Sequence, residues 1–354
     1  MERIDIHSKL YDYSVEFVSD FSKELSGFGT HTAYVIDKNV YSLYEQKFSD
    51  IDKNNIFFMD AVEHKKNMDT VLEIISFLQN LGVRKDWTVV CFGGGITQDV
   101  TTVASELFLR NLDWYFFPTT LLSMCDSCIG GKCGINYKNI KNQIGVFYPP
   151  KKIVIDTCFI DTLTDGDYLN GWGEIFKFSL TRDPDFYNSV KNESSYIPCD
   201  NIKEYIYRGL KTKQEIIEED EFESDLRRIL NYGHTFGHAL EAFTDNTIPH
   251  GKGVIWGIDV VNFIAFKEKL ISRSYYDEIK ALIKKAFLKK EIEISDPAAL
   301  FEIIKTDKKV KNGVISLAVL DGESHLIVYP MNIDTKLKEY FMEYIKETHE
   351  YYCN

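Results

Sequence analysis

Asn231-Tyr-Gly-His234-Thr-Phe-Gly-His238 places two histidines four residues apart, on one face if the segment is helical, and His250 follows at the head of a His-Gly pair. Three of the eight histidines fall within 17 positions, a density that suits a metal site, although a single histidine is more often a hydrogen-bonded structural residue. A carboxylate is the natural remaining protein ligand. Glu174 qualifies, because Gly171-Trp-Gly-Glu174-Ile-Phe-Lys177 sets an acid and a base three apart on an otherwise apolar turn; the bland alternative there is a plain helix salt bridge.

Gly93-Gly94-Gly95-Ile-Thr-Gln-Asp99 follows an apolar run and precedes a helical pattern. A glycine turn between strand and helix lets backbone N–H groups approach a pyrophosphate, but the spacing is not G-x-G-x-x-G, and a tight turn explains it equally well. Asp99 either caps the helix or faces a ligand. Gly130-Gly131-Lys132-Cys-Gly-Ile-Asn136, then Lys141-Asn142, have the donors to hold a phosphorylated or polyhydroxy ligand, with Arg110, Lys213 and Arg227 as further cations. Cys125-Asp-Ser-Cys128 has C-x-x-C spacing, yet no second Cys or His pair follows at a matching distance. With Cys133, these cysteines read as small buried residues.

Positioning such groups requires a framework. Over residues 1–157 short apolar runs alternate with helical patterns, the signature of a parallel sheet with crossover helices. The strand candidates are Ala33–Ile36, Ile56–Met59, Thr88–Phe92, Trp114–Phe117 and Ile153–Ile155, and Met68–Leu81 carries apolar residues at helical spacing. This half reads as a nucleotide-binding α/β domain. Residues 158–354 read as mainly helical, with periodic stretches at Ile202–Ile217, Val254–Phe266, Tyr276–Phe287 and Leu337–Ile345 and a late hairpin around Asp321-Gly322. Two domains with no flexible linker are expected to pack tightly and leave a cleft.

The 354 residues carry a net charge of −13, which disfavours nucleic acid and anionic membrane as partners. The densest basic runs, Lys284/Lys285 and Lys289/Lys290, read as one solvated helix face. No signal-peptide pattern and no long apolar span are evident, and seven cysteines without framework spacing suit a reducing compartment, so a cytoplasmic protein is expected.

The ordered set GGGITQD, FPTTLLSMCDSCIGGKCGIN, KNQIGVFYPP, GEIFK and LNYGHTFGHALE followed by HG resembles the 3-dehydroquinate synthase family of sugar-phosphate cyclases over nearly the whole chain. The resemblance implies a Rossmann-like α/β N-terminal domain, a mainly α-helical C-terminal domain, tightly held NAD, one divalent metal (zinc or cobalt), a small phosphorylated sugar-acid substrate and a homodimer. It implies Glu174, His234 and His250 as the metal ligands, which moves His238 out of its pairing with His234 and into a substrate-side role. It gives NAD contacts to Asp37, Glu63, Lys66, Gly94, Gly95, Asp99, Thr119, Thr120 and Thr162, with Lys132 and Lys141 able to serve either ligand. Substrate or catalytic contacts fall to Arg110, Asp126, Lys132, Asn142, Lys177, Lys213, Arg227, Asn231, His238 and Lys308.

The reaction so implied turns 3-deoxy-D-arabino-heptulosonate 7-phosphate into 3-dehydroquinate and phosphate, a step of the shikimate pathway to aromatic amino acids. It runs by transient oxidation with NAD, phosphate elimination, reduction and intramolecular aldol closure. Sibling cyclases making aminodehydroquinate, 2-deoxy-scyllo-inosose or a valiolone are the nearest rivals, and a metal-dependent polyol dehydrogenase is a more distant one. Three positions depart from the usual pattern. Gln98 stands where a glycine commonly precedes the aspartate, Asn111 where a glycine follows Arg110, and Lys252 where a glutamate commonly follows the His-Gly pair.

Overall fold

The computed structural model describes residues 2–138, 140–193, 199–245, 247–286, 292, 294–306 and 310–352. The chain divides into two compact units, Met1–Thr164 with Lys213–Phe222, and Asp165–Thr212 with Glu223–Asn354.

In the first unit every apolar run expected to be a strand is one. The elements are β1 (Arg3–Ile6), β2 (Tyr13–Val18), α1 (Ser22–Leu25), β3 (Thr32–Asp37), α2 (Lys38–Leu43), β4 (Ile56–Met59), α3 (Met68–Asn80), β5 (Thr88–Gly93), α4 (Gly95–Leu107), β6 (Asp113–Pro118), β7 (Lys132–Tyr137), β8 (Ile140–Phe147) and β9 (Lys152–Asp156). Seven strands form one sheet in the order β1-β2-β9-β6-β5-β3-β4, in which only β1 runs antiparallel to its neighbour. Val35, Ile36, Val89, Val90, Phe116 and Ile153 are buried, as strands covered on both faces should be.

The run β4-β3-β5-β6-β9 has the 2-1-3-4-5 order of a doubly wound sheet, whose direction of winding reverses between β3 and β5. In such sheets ligands bind past the carboxyl ends of the strands at the reversal. Here those ends are Asp37 on β3 and Gly93 on β5, with Ile36 paired to Phe92 just before them. The antiparallel β7–β8 ribbon is separate from this sheet and carries a bulge between Ile135 and Tyr137.

The second unit comprises α5 (Asp165–Ser179), α6 (Pro184–Lys191), the first part of α7 (Ile202–Glu219), α8 (His234–Phe243), α9 (His250–Lys267), α10 (Arg273–Ala286), α11 (Pro297–Lys305) and α12 (Thr335–Tyr352), with a three-stranded sheet of β10 (Val310–Lys311), β11 (Val314–Leu320) and β12 (Leu326–Asn332). The expected late hairpin is β11–β12. Lys284 is exposed on α10, whereas Lys289 and Lys290 lie outside the described residues. No helix among the described residues is long and apolar enough to cross a membrane.

Helix α9 is the axis of this unit. Its residues from Gly253 to Ala265 are all buried, the pattern of a helix surrounded by protein. Two polar side chains on it accept from tyrosines: Tyr232 donates to Asn262 Oδ1 at 2.6 Å and Tyr344 to Asp259 Oδ2 at 2.9 Å.

Helices α5 and α8 approach α9 closely enough for backbones to touch. A Cβ on Gly173 would lie 2.6 Å from Gly251 Cα, and one on Gly237 would lie 2.7 Å from the Gly253 carbonyl oxygen. Gly233, which begins α8 at φ +77°, sits where a side chain would meet the Val254 carbonyl oxygen at 2.5 Å. Each of these glycines adjoins one of Glu174, His234, His238 and His250, so the backbone contacts set where those side chains begin.

Gly173→Ala is therefore expected to cost about 1–3 kcal/mol, because its methyl group meets backbone that cannot swing aside. Gly95→Ala, whose Cβ meets nothing within 4 Å, is the control and should leave stability unchanged or slightly raised. Urea unfolding of the two variants checks this, and equal midpoints would contradict it.

Candidate functional site

Glu174 on α5 is completely buried. Its Oε1 lies 3.3 Å from Nε2 of His234 on α8 and 3.3 Å from Nε2 of His250 on α9. Oε2 forms an ion pair with Lys177, itself 2% exposed, so the acid–base pair read from the sequence is a buried one. Neither carboxylate oxygen has a hydrogen-bond partner of normal geometry. Burial would raise the Glu174 pKa, but the Lys177 charge and the two histidines outweigh it and hold the carboxyl well below its usual range.

Burial lowers the pKa of His234 and keeps its ring neutral, the form in which imidazole binds metals. For His250 burial acts in the same direction, but the Glu174 and Glu241 carboxylates overcome it and push the value up to about 10. The His234 Nδ1–H faces the Tyr232 carbonyl at 3.1 Å, which directs the Nε2 lone pair towards Glu174.

These three residues fit a divalent ion. Two ligands each ~2.1 Å from one ion, at tetrahedral to octahedral angles, lie about 3.0–3.4 Å apart. The observed spacing falls in that range, and the carboxylate is without hydrogen bonds of its own. The donor set of two imidazoles and one carboxylate suits zinc or cobalt.

The helical pair His234/His238 exists as neighbouring rings 5.3 Å apart, but it is His250, not His238, that joins His234 on Glu174. His238 is exposed and packs against the rings of both His234 and His250. In the same unit Arg227 is buried, and Asn231 donates to Glu223 Oε1 at 3.0 Å. Lys308 lies outside the described residues.

In the first unit the expected cofactor residues, apart from Lys132 and Lys141 on the β7–β8 ribbon, lie at or after the carboxyl ends of parallel strands. Asp37 ends β3 and caps α2 through the backbone N–H groups of Asn39 and Val40, and burial raises its pKa. Gly94 and Gly95 open α4, whose N-cap supplies no side-chain hydrogen bond. Gly93 and Gly94 are packing glycines, since a Cβ would strike Thr97 at 2.5 Å or Thr120 at 2.8 Å, whereas Gly95 faces open space.

Thr119 follows β6, its N–H bonded to the Gly93 carbonyl at 2.9 Å, and Thr120 bonds Ser123 at 2.9 Å. Thr162 follows β9, donates to the Phe159 carbonyl and lies 3.3 Å from the Tyr44 hydroxyl. Asp99 neither caps α4 nor stands alone. It lies 2.6 Å from Lys66 Nζ and accepts from the Gly134 N–H at 3.1 Å, and its pKa is raised by burial in spite of Lys66.

Lys66 also donates to Asn142 Oδ1 at 2.8 Å, while Glu63 accepts from Asn136 at 2.8 Å, so residues far apart in sequence form one polar group with the β7–β8 ribbon. Lys132 and Lys141 lie exposed on that ribbon. Lys213 meets Asp126, 2.6 Å from both its carbonyl and its Oδ1.

Arg110 stands apart from the cofactor residues in the first unit. It precedes β6, whereas Thr119 follows it, and the six-residue strand puts about 20 Å between them. Within its own chain Arg110 therefore lies at the opposite edge of the sheet from the cofactor residues.

Two departures from the pattern acquire reasons. Leu109, Arg110 and Asn111 all have positive φ, so Asn111 takes a conformation that glycine would otherwise fill, and Lys85 Nζ binds the Arg110 carbonyl at 2.7 Å and Asn111 Oδ1 at 2.6 Å. Gln98 is buried and makes a reciprocal pair with Ser127. Its Nε2 donates to the Ser127 carbonyl at 2.8 Å, and its Oε1 accepts from Ser127 Oγ at 2.6 Å. That pair clamps the π-helical turn Ser123–Ser127, which carries Asp126. Lys252 is half-buried, and burial lowers its pKa.

The cysteines behave as the sequence suggests. Cys125, Cys128 and Cys133 are buried, and burial pushes the Cys128 thiol up to about 12. Sequence reasoning missed Glu241, whose Oε1 lies 2.8 Å from His250 Nδ1, and also Tyr232 and the pairing of Gln98 with Ser127. The only signal for Glu241 was its place at the end of the LNYGHTFGHALE stretch.

Fold and site together define a protein that joins a doubly wound α/β unit of nucleotide-binding type to a helical unit bearing a His–His–Glu group of metal-binding type. Residues 56–170 match the family described as 3-dehydroquinate synthase N-terminal, and residues 171–310 the one described as 3-dehydroquinate synthase C-terminal. The 3-dehydroquinate synthase of Picrophilus torridus is 35% identical over 91% of this chain and 92% of its own. The chain belongs to the 3-dehydroquinate synthase family.

Among solved structures, 2-epi-5-epi-valiolone synthase from Streptomyces hygroscopicus, with NAD+ and Zn2+ bound, matches with a TM-score of 0.85 at 22% identity, covering 96% of this chain and 98% of the other. A 2-deoxy-scyllo-inosose synthase complexed with carbaglucose-6-phosphate, NAD+ and Co2+ matches with a TM-score of 0.86 at 22% identity, covering 97% and 99%. The fold is therefore that of the sugar-phosphate cyclases.

Gln98→Ala would strip the half-buried Ser127 carbonyl and hydroxyl of their partner, and is expected to destabilise the protein by about 1–3 kcal/mol. Unaltered thermal and urea unfolding of this variant would contradict the clamp.

Proposed function

We propose that this chain acts as a 3-dehydroquinate synthase, converting 3-deoxy-D-arabino-heptulosonate 7-phosphate to 3-dehydroquinate and phosphate. The observation that carries the reading is the meeting of His234 Nε2 and His250 Nε2 on one buried oxygen of Glu174, at the residues the resemblance assigns to a divalent ion. When bound, NAD supplies a reversible hydride acceptor and the divalent ion, zinc or cobalt, polarises a substrate hydroxyl.

Glu174, His234 and His250 would hold the ion, with the Tyr232 carbonyl keeping His234 in the ligating tautomer. The uncapped first turn of α4 at Gly94 and Gly95 would receive a pyrophosphate, and Asp37 at the end of β3 would accept from ribose hydroxyls. Thr119, Thr120 and Thr162 belong to the same edge of the sheet. Lys132, Lys141 and Asn142 would donate to phosphate oxygens, and Lys213, oriented by Asp126, to the substrate carboxylate or hydroxyls. His238, exposed beside both ligating rings, would hold a proton in contact with solvent, and Lys177, Arg227 and Asn231 complete the substrate-side set.

The reading extends to a cytoplasmic homodimer. Free cysteines at 91, 125, 128, 133, 158 and 199 support a reducing compartment, and the resemblance supports the dimer. The 35% identity to a named 3-dehydroquinate synthase favours this substrate over those of the sibling cyclases, whose identity is 22%.

The test is to supply the purified protein, with NAD and zinc or cobalt, with the heptulosonate phosphate and separately with sedoheptulose 7-phosphate. Phosphate release from the first without accumulation of NADH is expected. Release only from the second would contradict the assignment, and net NADH formation from a simple polyol would replace it with a dehydrogenase.

A further inference from the structure

Glu241 takes no part in the group that meets at Glu174, yet it is bound to one member of that group. Its Oε1 lies 2.8 Å from His250 Nδ1, and its side chain is only 12% exposed. An imidazole that offers Nε2 to a cation must carry its proton on Nδ1, and that proton needs an acceptor. Glu241 provides one, and the backbone leaves room for it: a Cβ on Gly253 would sit 3.2 Å from Glu241 Oε1.

His234 offers the contrast, since its Nδ1 faces the neutral Tyr232 carbonyl. The two histidines therefore have acceptors of different charge. An anionic acceptor makes the imidazole a stronger donor at Nε2, and it adds a second carboxylate to offset a divalent charge that Lys177 opposes.

We propose that Glu241 is a positioning residue of the divalent-cation site, fixing the tautomer and ring orientation of His250 and strengthening its Nε2 as a ligand. The inference rests on the reading of Glu174, His234 and His250 as the ligands. A second arrangement uses the same carboxylate: His238, Glu241 and His250 also have donor atoms close enough to share an ion. In that arrangement Glu241 is itself a ligand and His238 is indispensable. The contact already made by His250 Nδ1 with Glu241, and the exposure of His238, favour the positioning role.

The experiment titrates the metal-free full chain with Co2+ alone, reading the visible absorption of the bound ion and its dissociation constant by chelator competition. Glu241→Gln keeps an acceptor oxygen but removes the charge, and Glu241→Ala removes both. Circular dichroism confirms that the variants are folded, and the near-isosteric Gln variant carries the test if the Ala variant is not. Affinity should fall about 10-fold for Glu241→Gln and up to about 100-fold for Glu241→Ala, with a changed cobalt spectrum. His238→Ala should retain wild-type Co2+ affinity.

Wild-type affinity and spectrum in the Glu241 variants would overturn the proposal alone. A loss in His238→Ala as large as that in Glu241→Ala would overturn it in favour of the second arrangement. Failure of the wild-type chain to bind Co2+ would overturn it together with the metal reading on which it rests.

Discussion

The completely buried carboxylate of Glu174 is the constraint on which the second unit depends. A charge taken out of water is costly unless cationic or hydrogen-bonding partners surround it. Here Lys177 faces one oxygen and two imidazoles face the other, yet both oxygens are without normal hydrogen bonds. That arrangement is poor for a purely structural carboxylate and good for one that binds a cation. It exists because α5, α8 and α9 touch through Gly173, Gly237 and Gly251, where a Cβ would lie under 3.0 Å from neighbouring backbone.

The first unit solves a different problem by topology. A doubly wound sheet delivers the residues that follow β3, β4, β5, β6 and β9 to one edge whatever their separation in sequence. Side-chain bonds then refine the edge. Lys66 joins Asp99 to Asn142, Gln98 fastens the turn that carries Asp126, and the end of α7 is held against the N-terminal loop by Gln214 on the Asp5 carbonyl and Glu221 on Ser8 and Lys9. That last clasp anchors the helix from which Lys213 reaches Asp126.

Much of this was legible in the sequence, for identifiable reasons. Both β3 and β5 announce themselves as compact apolar runs, and α9 and β11 by dense apolar residues, because burial on all sides leaves little freedom of composition. The β1–β2 hairpin and the β7–β8 ribbon were not anticipated, since short or polar strands carry weak periodicity. The cluster of His234, His238, His250 and Glu174 was legible from the residues, and the exclusion of His238 only through resemblance. Spacing alone pairs His234 with His238, and nothing local says that α9 will carry His250 to the same oxygen. Partners such as Glu241 and Gln98 were illegible, because a glutamate or a glutamine on a helix usually faces solvent and only tertiary packing shows otherwise. The edge occupied by Arg110 is likewise a property of strand direction, which no single motif records.

The central claim is that this packing creates one cation site from Glu174, His234 and His250. X-ray absorption at the metal edge of the fully loaded protein tests it most directly. The account predicts a first shell of nitrogen and oxygen near ~2.0–2.1 Å, with the multiple scattering of two imidazoles. A sulfur scatterer at about 2.3 Å, or a third imidazole, would contradict it.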